Sequence, residues 1–275
     1  MMNGAHSATG LLAGVGIAAA AHATPAALAL SALVGAGAAL APDIDHDQST
    51  VTKSSGPITR GVAELLQALS RGTYRATRLP HDPEATGKRG EHRGLIHAPA
   101  FALLVGALIA AGTVWSPWVA IVASYVLTSA AVRSLRWSLP GGLRKRMALG
   151  APLMPPLVTL AITYALVQAG ALDEVGPWLG VIVALGMIVH SAGDGATNTG
   201  ISFWWPFKRR CDQCREHDRD DCPGARWDKQ NTLPQVLRWS AGARREVVIR
   251  LGCLALAGWL TWPILAASLP TGATS

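Results

Sequence analysis

The chain alternates long apolar runs with shorter, strongly basic segments. Five stretches contain no Asp, Glu, Lys or Arg: residues 1–42, 94–132, 147–172, 175–193 and 251–275. A helix needs about 20 predominantly apolar residues to cross the hydrocarbon core of a bilayer. Each stretch is therefore long enough for one or two membrane helices, and the pattern predicts a helical membrane protein.

Helix-breaking residues divide the two longest runs. Thr24 and Pro25 divide the first run into two short helices rich in Ala and Gly, and Ser116 and Pro117 divide the second. The expected helices cover residues 7–22, 26–41, 97–115, 117–133, 148–170, 177–194 and 247–268. We therefore predict an all-α fold, a polytopic membrane helical bundle of about seven helices. The first two helices form either thin spans or a short hairpin dipping into the membrane.

An amphipathic stretch from Pro57 to Arg78 follows the second predicted helix. Apolar residues at helical spacing share one face and charged residues lie elsewhere: Ile58, Val62, Leu65, Leu66 and Leu69 against Arg60, Glu64, Arg71 and Arg75. This pattern is typical of a helix lying in the membrane interface. A soluble helix packed on another loop is the alternative interpretation.

Composition and charge agree with a membrane protein and orient it. Charged residues make up 15% of the chain, against about 25% in a typical soluble domain. All 24 Lys and Arg residues lie within 42–96, 133–146 and 194–250, and the opposite connections contain only Asp173 and Glu174. The positive-inside rule places the basic segments in the cytoplasm. We therefore predict a multi-pass protein of the cytoplasmic (inner) membrane, with its N-terminus inside and its C-terminus outside.

The net charge of +7 does not require a nucleic-acid partner, because basic cytoplasmic loops also attract anionic lipid headgroups. Membrane lipids are the expected partners, and we expect no nucleic acid. The first apolar run follows no basic residue and is too long for the apolar core of a simple signal peptide, so we interpret it as retained helices.

Acidic residues and a histidine cluster directly after the second predicted helix. Pro42 ends that helix, and Asp43, Asp45 and His46 follow. In an extended chain Asp43 and Asp45 project to the same side, so both can face one cation. A divalent ion would also relieve the repulsion between carboxylates so close together. A solvated acidic turn is the alternative.

A second motif precedes the third predicted helix, where His92, Arg93 and Gly94 lead to His97. A histidine at the start of an apolar span is costly unless it binds a metal ion, is hydrogen-bonded or faces water. Arg93 can bind a phosphate or carboxylate through two hydrogen bonds. Simple contact of His92 and Arg93 with lipid headgroups is the alternative.

The third motif ends the sixth predicted helix. His190 and Asp194 are four residues apart and therefore share one helix face, which Thr197 continues. They can supply two ligands to one ion, or the carboxylate can orient the imidazole. His6, before the first helix, is the weakest candidate, because a histidine so near the chain start is easily just exposed. We exclude His22, at the opposite membrane face, and His81, in a Pro-flanked loop.

The predicted topology brings these motifs to one membrane face. The candidate metal ligands are His6, Asp43, Asp45, His46, His92, His97, His190 and Asp194. Mixed nitrogen and oxygen donors suit Zn²⁺, Mn²⁺ or Fe²⁺ better than Ca²⁺ or Cu⁺. Because these donors exceed the needs of one tetrahedral ion, we expect one or two divalent ions, with zinc as the first choice.

The order of the motifs resembles that of the membrane-bound metal-dependent hydrolases, also described as LexA-binding, inner-membrane-associated hydrolases. The resemblance runs from about His6 to Pro206. Members often have Thr-His-Ser in the second motif, where this chain has Ile96, His97 and Ala98, so those hydroxyls cannot be essential here. The family looks distantly similar to zinc-dependent phospholipases C and single-strand nucleases, an analogy of ligand type alone. The expectation of a phosphoester substrate comes from the two-ion site, because two ions can stabilise both the entering and the leaving oxygen.

Residues and resemblance together predict an integral-membrane metal-dependent hydrolase with a cytoplasm-facing site, acting on a phosphoester or lipid-related substrate. Asp45 and Asp194 are the candidate catalytic carboxylates, and the one not fully engaged by metal would be the general base. Arg93 would bind the anionic group of the substrate. A metal-ion transporter or sensor is one alternative, although a transporter should carry ionisable residues near the bilayer middle. A non-catalytic membrane protein whose histidines anchor helix ends is another.

A separate Cys/His cluster lies in the last basic segment. Cys211, Cys214, His217 and Cys222 form a Cys₃His set that could bind a structural zinc ion. A disulfide is disfavoured in the cytoplasm, and a loop with incidental thiols is the alternative. The expected organisation is therefore a hydrolase-like membrane domain (1–206), a cytoplasmic Cys/His loop (207–246), and a last membrane helix with its tail (247–275).

Overall fold

A computed structural model describes residues 2–46, 49, 51–52, 57–80, 82, 94–138, 154–207, 225–227 and 229–269. Over these residues the chain forms the α-helices α1 (Asn3–Ala20), α2 (Pro25–Ala38), α3 (Pro57–Thr77), α4 (Pro99–Trp115), α5 (Pro117–Ser138), α6 (Met154–Gln168), α7 (Ala171–Val175), α8 (Leu179–Gly195) and α9 (Arg244–Ser268). Short 3-10 turns cover Ala41–Asp45, Leu95–His97, Gly176–Trp178 and Gln235–Leu237. Isolated β-bridges pair Thr197 with Trp239 and Ile201 with Gln230.

The predicted all-α membrane helical bundle is confirmed, and each of the seven predicted apolar segments contains a helix. Among the described residues, four stretches are long and apolar enough to cross a membrane: Pro25–Asp45, Pro117–Leu135, Ala171–Gly195 and Arg244–Ser268. Pro99–Trp115 and Pro155–Gln168 are shorter apolar helices. The helix predicted over 26–41 ends earlier, at Ala38, because the chain tightens into a 3-10 turn containing Pro42. Complete crossing by all seven segments stays a prediction.

Successive apolar helices alternate in direction, so their ends collect at two ends of the bundle. At one end, which we call the proximal end, Ser7 Oγ of α1 lies 2.8 Å from Ser134 Oγ of α5. There too, the backbone N–H of Met2 donates to Glu246 at the start of α9 over 3.0 Å. At the opposite, distal end, Glu174 accepts hydrogen bonds from Thr24 N (2.9 Å) and Thr24 Oγ1 (2.6 Å).

The packing of α1 on α2 depends on glycine. A Cβ atom added to Gly14 would clash with the carbonyl oxygen of Ser31, and one added to Gly35 would clash with the carbonyl oxygen of Gly10. Small residues of this kind allow membrane helices to approach backbone to backbone. This close approach holds the start of α1, with His6, against the end of α2.

The amphipathic helix α3 is present and leaves part of its apolar face uncovered. Ala63 and Tyr74 are buried, whereas Val62, Leu65 and Leu69 are 43%, 68% and 49% exposed. An apolar strip of this kind is what a helix in the membrane interface offers to lipid. The helix also packs on another segment, as the alternative interpretation expects, and its position in the membrane interface stays a prediction.

Asp82 fastens the end of α3 to residues 225–227. Its carboxylate accepts hydrogen bonds from the backbone N–H groups of Leu79 (2.7 Å), Arg226 (2.8 Å) and Trp227 (2.7 Å). The indole N–H of Trp227 donates to Thr77 Oγ1 over 3.1 Å. The loop before α9 is thereby tied to the amphipathic helix.

Candidate metal site

Four segments bring histidine and aspartate side chains together at the proximal end. They come from the first turn of α1, the 3-10 turn after α2, the 3-10 turn before α4 and the end of α8. The residues are His6, Asp43, Asp45, His97, His190 and Asp194. The three histidines are fully buried, and the side chain of Asp43, at 19% exposed, is the most accessible of the three carboxylates.

Three imidazoles present their Nε2 atoms to two carboxylates. His6 Nε2 lies 3.2 Å from Asp194 Oδ1. His97 Nε2 lies 3.7 Å from Asp43 Oδ1 and 3.9 Å from Asp194 Oδ2. His190 Nε2 lies 3.6 Å and 4.0 Å from the same two oxygens. The potential ligand atoms form two overlapping groups, His6/His190/Asp194 and Asp43/His97/His190, each contained within 4.8 Å.

These separations fit ligands that share a metal ion. Two atoms bound to zinc at about 2.0–2.1 Å and at tetrahedral angles lie about 3.4 Å apart. The distances between Nε2 and carboxylate atoms run from 3.2 to 4.0 Å. His190 Nε2 is buried and has no hydrogen-bond partner among the described residues, a state that metal ligation would relieve. Two carboxylates also match the charge of a divalent ion, so these buried groups could hold a metal ion.

The second ring nitrogens of His190 and His97 contact groups that can orient the imidazoles. His190 Nδ1 lies 2.7 Å from the carbonyl oxygen of Ala39, at the end of α2. His97 Nδ1 lies 3.5 Å from Asp45 Oδ2. Partners on the second nitrogen typically fix the tautomer and direction of a ligating histidine. Asp45 therefore lies on the side of His97 away from the ligand cluster, which favours an orienting role for its carboxylate.

Thr52, close in sequence, and Gln67 of α3 both stabilise the turn after α2. Thr52 Oγ1 donates to the carbonyl oxygens of Ile44 (2.9 Å) and His46 (3.0 Å), and Gln67 of α3 donates to the carbonyl oxygen of Asp45 (2.8 Å). The side chain of His46 is exposed, and this residue belongs to neither ligand group. Of the candidates in the turn, Asp43 thus belongs to a ligand group, and Asp45 contacts His97 Nδ1 instead.

The other candidates are placed as follows. Thr197 is buried, and its hydroxyl donates to the carbonyl oxygen of Asp194 over 2.7 Å, so it closes the end of α8. His81, His92, Arg93 and the Cys/His cluster Cys211, Cys214, His217 and Cys222 lie outside the described residues. The carbonyl of Ala39 is the orienting group that the sequence did not suggest, because no side chain marks it.

Comparison with known proteins agrees with the membrane assignment. The family model described as YdjM inner membrane protein matches residues 1–268, almost the whole chain. No curated protein and no solved structure is significantly similar to the chain. The family description supports an inner-membrane protein, and neither hydrolysis nor LexA binding is part of it.

Proposed function

We propose a metal-dependent hydrolase function for this chain, which belongs to the YdjM inner membrane protein family. The observation that carries the proposal is the convergence of three buried imidazoles on two carboxylates at one end of a membrane bundle. Burying so many ionisable groups is costly without a counter-ion. A binding site for a divalent metal, with zinc as our first choice, explains their arrangement.

In the proposed site, His6, His97 and His190 hold the ion through Nε2, together with Asp43 and Asp194. An ion held there would polarise a phosphoryl oxygen of the substrate and lower the pKa of a water molecule. Asp43 is the carboxylate that solvent reaches most easily, so its second oxygen, not engaged by the ion, would be placed to accept a proton from an incoming water molecule. Asp45 orients His97. Arg93 remains our candidate for binding the anionic part of a phosphoester.

The proposed site faces the cytoplasm. The starts of α1, α4 and α9 and the ends of α2, α5 and α8 share the proximal end with the site. The basic segments of the sequence connect helices at this same end, and the positive-inside rule assigns such segments to the cytoplasm. Membrane lipids are then the nearest source of phosphoesters.

A metal transporter would use the same residues differently. Transporters usually place ion ligands near the middle of the bilayer, at broken helices. Here the ligands gather at one end of the helices, which favours an enzyme. Uptake of a divalent metal into vesicles containing the purified protein would argue for transport, and hydrolysis of a phosphoester without metal uptake would argue for the enzyme.

Elemental analysis of detergent-purified protein tests the metal site directly. We expect a bound divalent metal that is lost in His97→Ala and His190→Ala, because each variant removes a buried ligand. His22→Asn is the matched control, since His22 is exposed at the distal end and asparagine tolerates its positive φ of 53°. Full metal content in both alanine variants would overturn the site. A phosphoester panel assayed with the metal-loaded protein then tests hydrolysis.

A further inference from the structure

An apolar cavity of about 580 Å³ lies between α4 and α5, next to the proposed metal site. Val183 and Met187 of α8 line it, as do Val105 of α4 and Ala123 of α5. The described residues that line it are all aliphatic, aromatic or Met. The volume is within the range of about 300–1,000 Å³ that is usual for small-ligand pockets, but these residues offer none of the polar groups that a water-soluble ligand needs.

The cavity begins at the turns that carry the proposed metal ligands. Ile44, between Asp43 and Asp45, and Ile96, directly before His97, both line it. Each turn therefore contributes to the metal cluster and to the cavity wall. Leu66 of α3 also lines the cavity, so its proximal end lies beside the amphipathic helix.

The cavity extends along the membrane helices for about the depth of one leaflet. On α5 it reaches from Leu127 to Trp118, nine residues that rise about 14 Å at about 1.5 Å each. Half of a hydrocarbon core of about 30 Å is about 15 Å. Two lining side chains, Trp118 and Val122, are 69% and 57% exposed, so the cavity is bordered by the outer surface of the bundle.

We propose that this cavity, which forms a groove between α4 and α5, holds one acyl chain of a glycerophospholipid from the cytoplasmic leaflet, with the lipid phosphate at the metal site. The inference rests on the proposed function and narrows its substrate class to a membrane-lipid phosphoester. An acyl chain suits a groove whose described lining residues are all apolar. Its length within one leaflet matches the length of the groove. The headgroup of the lipid then lies at the level of the proposed metal ligands. Leu104 and Leu108 are exposed on the outer face of α4, so this face would contact the lipid of the bilayer. The surrounding lipid can therefore supply the acyl chain.

Photolabelling of the full-length protein in vesicles tests the groove. The vesicles contain phosphatidylethanolamine, phosphatidylglycerol and a small fraction of phosphatidylglycerol with a diazirine midway along one acyl chain. After irradiation, we expect labelled peptides to concentrate in the groove-lining parts of α4 and α5. In Val105→Trp the indole fills the groove, and the labelling should fall severalfold.

Leu104→Trp is the matched control, because it adds the same side chain one residue away, at a position that is 53% exposed and does not line the groove. The groove-lining peptides of Leu104→Trp should be labelled to the same extent as those of the wild type. Ala123→Trp obstructs the groove from the opposite wall and should repeat the loss. An unchanged melting temperature of the Trp variants in detergent shows that the bundle is intact.

Uniform labelling of the lipid-facing helices, or full groove labelling in both groove-filling variants, would overturn the inference. So would cross-links showing that a second copy of the chain occupies the groove. The two proposals fail separately. Groove labelling without phosphoester cleavage by the metal-loaded protein would disprove the hydrolase function and support lipid binding in the groove. Cleavage of a water-soluble phosphodiester without groove labelling would disprove lipid binding in the groove and support the hydrolase function.

Discussion

His97 and His190 each use their two ring nitrogens for different purposes. One nitrogen faces the ligand cluster, and the other contacts a partner in the turn region after α2: Asp45 for His97 and the Ala39 carbonyl for His190. The buried rings are thereby held in one direction. At the scale of residues, the end of α2 and the turn after it supply a ligand and also orient two ligands from other segments.

Asp45→Asn tests the orienting role. The amide is nearly the same size but lacks the charge that faces His97 Nδ1, and losing such a partner typically weakens metal affinity about 10- to 100-fold. Asp43→Asn, which changes a proposed ligand, should weaken binding more. Competition with a chelator measures both affinities, and Asp173→Asn, at an exposed distal position, is the control. Wild-type affinity in Asp45→Asn would contradict the role.

At the scale of elements, the site depends on how closely helices approach each other. His6 reaches the cluster because α1 lies directly against α2, where Gly10 and Gly14 face Gly35 and Ser31. The 3-10 turns after α2 and before α4 then direct their short segments of chain toward the cluster of candidate metal ligands. Packing of the apolar helices therefore positions the polar groups.

Gly14→Ala should separate α1 from α2. Its Cβ would meet the backbone of Ser31, and backbone cannot yield as a flexible side chain can, so we expect a loss of about 1–3 kcal/mol in stability. Metal binding should weaken as His6 moves. In the control Gly16→Ala, no atom of the described residues lies within 4 Å of the added carbon, and the higher helix propensity of alanine should stabilise the protein by up to about 1 kcal/mol. Thermal unfolding in detergent compares them, and equal melting temperatures would contradict the packing argument.

Asp82→Ala should release the connection between α3 and residues 225–227. The substitution leaves the backbone N–H groups of Arg226 and Trp227 without their carboxylate acceptor. Each N–H group that stays buried should lower the stability of the protein by about 1–3 kcal/mol. Hydrogen exchange in this segment should become faster while metal content is retained. Asp173→Ala is the exposed control. Unchanged exchange at Arg226 and Trp227 would show that the contact contributes little.

At the scale of the whole molecule, the alternation of helix directions separates the two chain ends. α1 begins at the proximal end, and α9 begins there and runs to the distal end. The contact between Thr24 and Glu174 closes the distal end. If the proximal end is cytoplasmic, the last helix must deliver Ser268 to the other side of the membrane.

Reporter fusions after Ser268 test this orientation. Alkaline phosphatase is active only outside the cytoplasm, so its fusion should be active, and a green fluorescent protein fusion at the same place should be dark. Fusions within the loop before α9, after Ser240, should give the reverse result. A fluorescent C-terminal fusion would place the proposed site outside the cytoplasm.

The sequence by itself determined the helices, their approximate bounds and the set of candidate ligands, because apolar length, helix breakers and residue type are local properties. Only the tertiary structure decided which candidates meet. His6, the weakest by sequence, is fully buried in the cluster, whereas His46 beside Asp45 is exposed. The Ala39 carbonyl and the groove between α4 and α5 also emerged only from the fold. Each depends on surfaces far apart along the chain, and the packing of whole helices sets those contacts.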